Sequence, residues 1–342
     1  MVHRSFGSLK LSAFLLTTVL IIPTSPAFAR ETSTTQHQNK NLPFTLEWPV
    51  DCTLGKTCWI ARYMDRKAGP EKADYLCKAQ TEDKHKGTDI VIPDLGSMQT
   101  GVNVRAAANG RVLALRNGMA DKAVTKESRA AIMKQGWQTH YCHLKNNSLL
   151  VKKGDTVKAG QIIGQVGLSG LTEYPHLHFM VQHTQAGQPA RSIDPFDGGE
   201  FEKGCNASPD HPALSLWRNK IAYSGPAVMP PLITSAPVTR QQLWQAQTPK
   251  LPATAPMLRI QARGFHTLPG DIWRFALHGP DGKLQFTYDV KQRKQRQLVG
   301  ANAYKNRPKS GFMAGKWTAT VTLLRDSTVT GSAQSHVKVT QN

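Results

Sequence analysis

Three short clusters carry the side chains with the greatest chemical capacity: His85-Lys-Gly-Thr-Asp89, Tyr141-Cys-His143-Leu144 and Pro175-His176-Leu-His178-Phe179. Imidazoles together with a carboxylate suit Zn2+, and a catalytic zinc takes three protein ligands while leaving a fourth position open. Residues two apart on a strand share a face at about 7 Å, so His176 and His178 point the same way. One of them can bind metal while its neighbour addresses a substrate. Thr139, Tyr141 and His143 likewise share a face, with His140 and Cys142 on the other. His85 and Asp89 stand four apart, but Gly87 and the following Ile90-Val-Ile92 favour a loop entering a strand. Each cluster alone is a weak signal, because H-x-H pairs also occur on surfaces and in cores. The H-E-x-x-H helix of another zinc-protease class is absent.

In this order and context the clusters resemble the lysostaphin-type zinc endopeptidases of cell walls, the LytM family. The resemblance covers roughly residues 80–197. It includes His-Lys-Gly-Thr-Asp, the stretch Val157-Lys-Ala-Gly-Gln-Ile-Ile-Gly-Gln-Val-Gly-Leu-Ser-Gly170 and Pro-His-Leu-His-Phe. It implies one zinc ion per chain held by His85, Asp89 and His178, with His143 and His176 as the two non-ligand histidines of the active site. It also implies hydrolysis of peptide cross-links in peptidoglycan, with a zinc-activated water as nucleophile. The chain departs from the family where a Gly-rich hairpin usually precedes the Tyr-x-His-Leu strand: Asp121–Gln135 is charged and compatible with a helix. Two other classes of function compete. One is a non-hydrolytic wall-binding or hydrolase-activator protein that retains the zinc site, and the other is a secreted zinc protease acting on proteins.

The elements that must position these residues read as mostly β. Short apolar runs separated by glycine fill residues 45–205, among them Gly110–Leu115, Gly160–Gly167 and Leu177–Val181. Ala120–Lys134 has no Gly or Pro and suggests a helical insertion. Residues 45–224 are expected to form the peptidase domain. Residues 225–256 hold seven prolines and read as a linker. Beyond it, period-2 runs at Met257–Ala262, Trp273–Leu277, Leu284–Val290 and Trp317–Leu324 suggest a small immunoglobulin-like β-sandwich over 257–342. Gly279-Pro-Asp-Gly282 marks a hairpin turn.

The N-terminus reads as an export signal over 1–29: a basic start, the apolar run Leu11–Ile22, Pro23 and Ala27-Phe-Ala29. A polar mobile leader follows over 30–44. Cleavage leaves no transmembrane segment, and the product is expected to be periplasmic or secreted. Export makes five cysteines informative: Cys52, Cys58, Cys77, Cys142 and Cys205 allow disulfides but leave one over. No C-x-x-C pair supports a cysteine zinc knot. The formal charge is +20, and residues 221–342 carry 16 basic against 4 acidic side chains. Such a surface attracts anionic partners. Export disfavours nucleic acid, so anionic envelope polymers are the expected class, drawn by a C-terminal targeting module that includes Lys291–Arg296.

Overall fold

The computed structural model describes residues 44–115, 136–205, 215–239, 241–246 and 250–341. The expected signal peptide, nearly all of the leader, the expected helical insertion, His37 and His211 lie outside these residues. The first half supplies β1 Trp59–Arg62, β2 Thr88–Val91, helix α1 Leu95–Thr100, β3 Asn103–Arg105, β4 Gly110–Arg111, β5 Gly136–Cys142, β6 Thr156–Val157, β7 Ile162–Gln165, β8 His176–Thr184 and β9 Arg191–Ile193. The order β1-β2-β8-β5, with β9 also on β8, makes a five-stranded antiparallel sheet. Alternation along β8 explains its place in the middle. Leu177, Phe179 and Val181 are fully buried in the core with Ile60, Ile90 and Trp217, while His176 and His178 take the opposite face. Disulfides join Cys52 to Cys58 and Cys77 to Cys205, and Cys142 belongs to neither.

The second half supplies β10 Ala227–Thr234, a 3-10 turn at Gln242–Trp244, β11 Lys250–Pro252, β12 Met257–Thr267, β13 Ile272–His278, β14 Leu284–Lys291, β15 Arg296–Asn306, β16 Gly315–Arg325 and β17 Thr328–Thr340. Two sheets, β10-β12-β15 and β11-β17-β16-β13-β14, face each other across a core that includes Leu258, Ile260, Trp273, Phe275, Trp317 and Val321. The Gly279–Gly282 turn joins β13 to β14 as expected, with Gly282 in the left-handed region that glycine adopts freely. The basic run 291–296 spans the end of β14 and the start of β15, with Lys291, Arg293, Lys294 and Arg296 exposed.

The stretch 225–256, expected to be a linker, differs from that expectation. Ala227–Thr234 pairs with β12, and its register shifts between Met229 and Leu232, where Pro230 and Pro231 lie. Proline lacks an N–H, and an edge strand with a bulge tolerates this. Met229 and Ile233 are fully buried.

Nor is the sandwich on a loose tether. Both halves belong to one compact unit, His37–Asn342. Trp59, Ala61, Val91 and Tyr174 of the first half form one buried cluster with Met229, Trp244 and Phe265 of the second. Arg263, 2% exposed, donates to the Pro93 carbonyl at 2.8 Å and to the Pro230 carbonyl at 3.1 Å. His266 Nε2 donates to the Ile60 carbonyl of edge strand β1 at 2.9 Å. Burial lowers the Arg263 pKa to about 10 and that of His266 to about 4, so at neutral pH the arginine is charged and the histidine neutral. Because Phe265 is fully buried in this seam, Phe265→Ala is expected to cost about 3–5 kcal/mol. Val329→Ala, at an exposed position, should stay within about 0.5 kcal/mol. Urea unfolding of the full chain checks both values.

Candidate metal centre

His85 enters from the loop before β2. Its carbonyl accepts from Asp65 N at 2.7 Å, and its Nδ1 donates to the Tyr63 carbonyl at 2.7 Å. A carbonyl only accepts, so the neutral ring carries its proton on Nδ1 and presents the Nε2 lone pair. That atom lies 3.0 Å from Asp89 Oδ1 and 3.2 Å from His178 Nδ1. His178 Nδ1 and Asp89 Oδ1 are 2.8 Å apart. The lone pair of His85 thus faces a carboxylate oxygen, acceptor against acceptor, which a cation between them would relieve. In a tetrahedral site with bonds of 2.0–2.1 Å, ligand atoms stand about 3.3 Å apart. The triangle fits that spacing, and His85, Asp89 and His178 form a group that could hold a metal ion.

The sheet register builds this group. Asp89 of β2 pairs with His178 of β8. The Asp89 carboxyl is buried, and its Oδ2 receives Arg62 Nη1 at 3.1 Å. Arg62 Nη2 donates to Glu82 at 2.6 Å. Burial alone would raise the Asp89 pKa, but the rings of His85 and His176 hold it well below the usual carboxylate range. Burial works against the charge on Arg62, but Tyr174, Asp89 and Glu82 outweigh it and keep the guanidinium pKa above its ordinary value. Gly87 makes room for the His178 ring. A Cβ there would stand 2.5 Å from the Phe179 carbonyl and 2.8 Å from the His178 ring.

His143 and His176 lie beside this group. His176 pairs with Val91, and its Nδ1 donates to the Tyr174 carbonyl at 3.0 Å, with Thr172 Oγ1 at 3.1 Å. Its Nε2 is 3.4 Å from Asp89 Oδ1. His143 follows the end of β5 with a φ of 63°, so the strand alternation read from sequence does not extend to it. Its Nδ1 donates to the Ser169 carbonyl at 2.7 Å, and its ring centroid is 4.7 Å from that of His176. Burial, then the neighbouring His176, lowers the His143 pKa to about 4. All five residues singled out in the sequence therefore converge. Arg62, Tyr63, Thr172 and Tyr174 were not singled out. They act through a cross-strand pairing or through main-chain carbonyls, which no residue spacing announces. His183 instead stacks on Trp137 at 4.4 Å.

Gly87→Ala offers a test that leaves every ligand in place. It should weaken metal affinity by roughly 10–100-fold by displacing the His178 ring. His178→Ala should lose the metal outright. Chelator competition with elemental analysis measures both, and unchanged affinity in Gly87→Ala would show that the ring does not depend on this close approach.

Residues 83–194 match the model of peptidase family M23. The peptidoglycan DD-endopeptidase ShyB of Vibrio cholerae is 35% identical over 98 residues, which are 28% of this chain and 20% of that protein. The cell division protein DipM of Caulobacter vibrioides is 31% identical over 106 residues, 29% of this chain and 17% of that protein. The chain thus spans about a fifth or less of the length of these curated relatives. Among solved structures, the catalytic domain of lysostaphin from Staphylococcus simulans is 25% identical and superposes over 33% of this chain and 76% of its own, with a TM-score of 0.22. The residues that match the model of peptidase family M23 are the ones that carry His85, Asp89, His143, His176 and His178.

Proposed function

We propose that this chain is a zinc-dependent endopeptidase that hydrolyses peptide cross-links of bacterial peptidoglycan. One observation carries the reading: a three-atom ligand triangle, His85 Nε2, Asp89 Oδ1 and His178 Nδ1, is flanked by two further imidazoles that need not coordinate. When bound, zinc supplies a Lewis acid that polarises a carbonyl and acidifies water. His143 and His176 each have Nδ1 tied to a main-chain carbonyl, so Nε2 is the nitrogen each offers to a reacting group. Between them they can accept a proton, steady the charge that develops on the carbonyl oxygen and return a proton to the leaving amine. The match to family M23 and the name of the Vibrio relative support the substrate class. The N-terminal basic, apolar and Ala-x-Ala pattern and the two disulfides support action outside the cytoplasm.

Digestion of purified sacculi with mass analysis of the released fragments tests the activity and names the bond cut. Binding to sacculi without release of fragments would overturn the hydrolase reading, and cleavage of an unstructured protein with sacculi left intact would move the substrate class to proteins. His143→Ala and His176→Ala are expected to keep zinc while losing roughly 10²–10⁴ in rate on cross-linked wall. Loss of zinc from either variant as complete as from His178→Ala would exchange the ligand and catalytic assignments.

A further inference from the structure

The metal group and the seam between the two halves occupy one face of the same sheet. On β2, Asp89 and Val91 point to that face, and on β8 their partners are His178 and His176. Val91 belongs to the seam cluster, as do Trp59 and Ala61 of β1. The boundary between seam and site falls at Tyr174, which lies two residues before His176. Its ring stands 4.9 Å from the His176 ring, and Arg62 sits over it at 5.7 Å. Its carbonyl accepts both His176 Nδ1 and the Thr172 hydroxyl.

Trp244 meets the Tyr174 ring from the second half of the chain, stacked at 4.9 Å with 23° between the planes. Both rings are nearly fully buried. Among the described residues nothing hydrogen-bonds the Tyr174 hydroxyl, and the rings of Trp244 and His176 and the Arg62 guanidinium pack around its ring. Pro175 follows directly and restricts the backbone of residue 174, which couples the ring to the carbonyl that holds His176. Trp244 is itself well fixed. Thr239 and Gln242 exchange hydrogen bonds at the start of its 3-10 turn, at 2.8 and 3.2 Å, and the Arg263 guanidinium lies 5.2 Å from the Trp244 ring.

We propose that Trp244 is a positioning residue for the active site, acting through Tyr174 to hold His176 in one tautomer and orientation. Trp244 lies outside residues 83–194, so the second half of the chain completes the centre carried by the first. This inference rests on the reading of His176 as an active-site histidine.

The test compares Trp244→Ala, Trp244→Phe and Phe265→Ala in the full chain. Phe265 lies in the same seam but makes no ring contact with Tyr174, so it controls for loosening of the seam as a whole. Trp244→Ala is expected to keep its zinc and its KM for a soluble cross-linked wall peptide while kcat falls roughly 10–100-fold. Trp244→Phe retains a flat ring and should restore most of kcat. Phe265→Ala, assayed below its melting temperature, should keep kcat. Nitrogen-15 imidazole spectra give a second readout that needs no turnover. His176 should show a single Nδ1-protonated tautomer in the native chain and in Trp244→Phe, and averaged tautomers in Trp244→Ala. An unchanged His176 spectrum in Trp244→Ala, or an equal loss of kcat in Phe265→Ala, overturns the proposal. A native chain that hydrolyses no wall peptide but shows the expected spectra would remove the function proposed above and leave the positioning role standing.

Discussion

The pairing of β2 with β8 sets Asp89 opposite His178 and Val91 opposite His176. Side chains alternate along a strand, so a slip of one residue would turn both histidines into the core and Leu177 and Phe179 out to the site. Burial of Ile90, Leu177, Phe179 and Val181 on the core face makes such a slip expensive. The hydrophobic layer therefore fixes the metal group without touching it. His85, which comes from outside the sheet, needs its own anchors, and the carbonyl of Tyr63 and the backbone of Asp65 provide them.

A carboxylate buried as deeply as Asp89 is tolerated only when its charge is answered from several sides. Arg62 answers at Oδ2, and the histidine rings gather at Oδ1. The division of labour between the two oxygens keeps the metal-facing one clear of the guanidinium. The same logic governs the imidazoles. Main-chain carbonyls at residues 63, 169 and 174 take the Nδ1 protons of His85, His143 and His176, so the backbone of two loops, one after β1 and one between β7 and β8, selects the tautomers. A mutation in either of those loops could disturb the chemistry while leaving every reactive side chain intact.

The five residues that converge were legible in the sequence through the family resemblance that the three clusters carry together, since each cluster alone is a weak signal. Alternation likewise announced much of β8, β12, β13, β14 and β16. The sequence was least informative where long-range packing decides the outcome. Seven prolines in 225–256 argued for an open tether, yet the apolar residues around Pro230 and Pro231 drive that stretch into the sandwich, with a bulge absorbing the prolines. β15 and β17 were not read at all. β15 carries glycine, alanine and basic residues, and in β17 the run Thr330–His336 separates one valine from the other two, so neither shows the strong apolar alternation that marks a half-buried strand. His266 belongs to no motif in the sequence. Its contact with Ile60 spans 206 positions, a separation no local pattern encodes.

The bridge between Cys77 and Cys205 spans 128 positions and encloses His85, Asp89, His143, His176 and His178. The centre therefore sits inside a covalent ring. A single backbone cut between Asp89 and His178 would separate the first two ligands from the third along the chain, but the two pieces would remain one molecule. Reassembly of the site would then be a unimolecular event at a fixed local concentration, independent of dilution. Among proteolytic enzymes, the protein would tolerate a nick inside this ring as a linear chain could not.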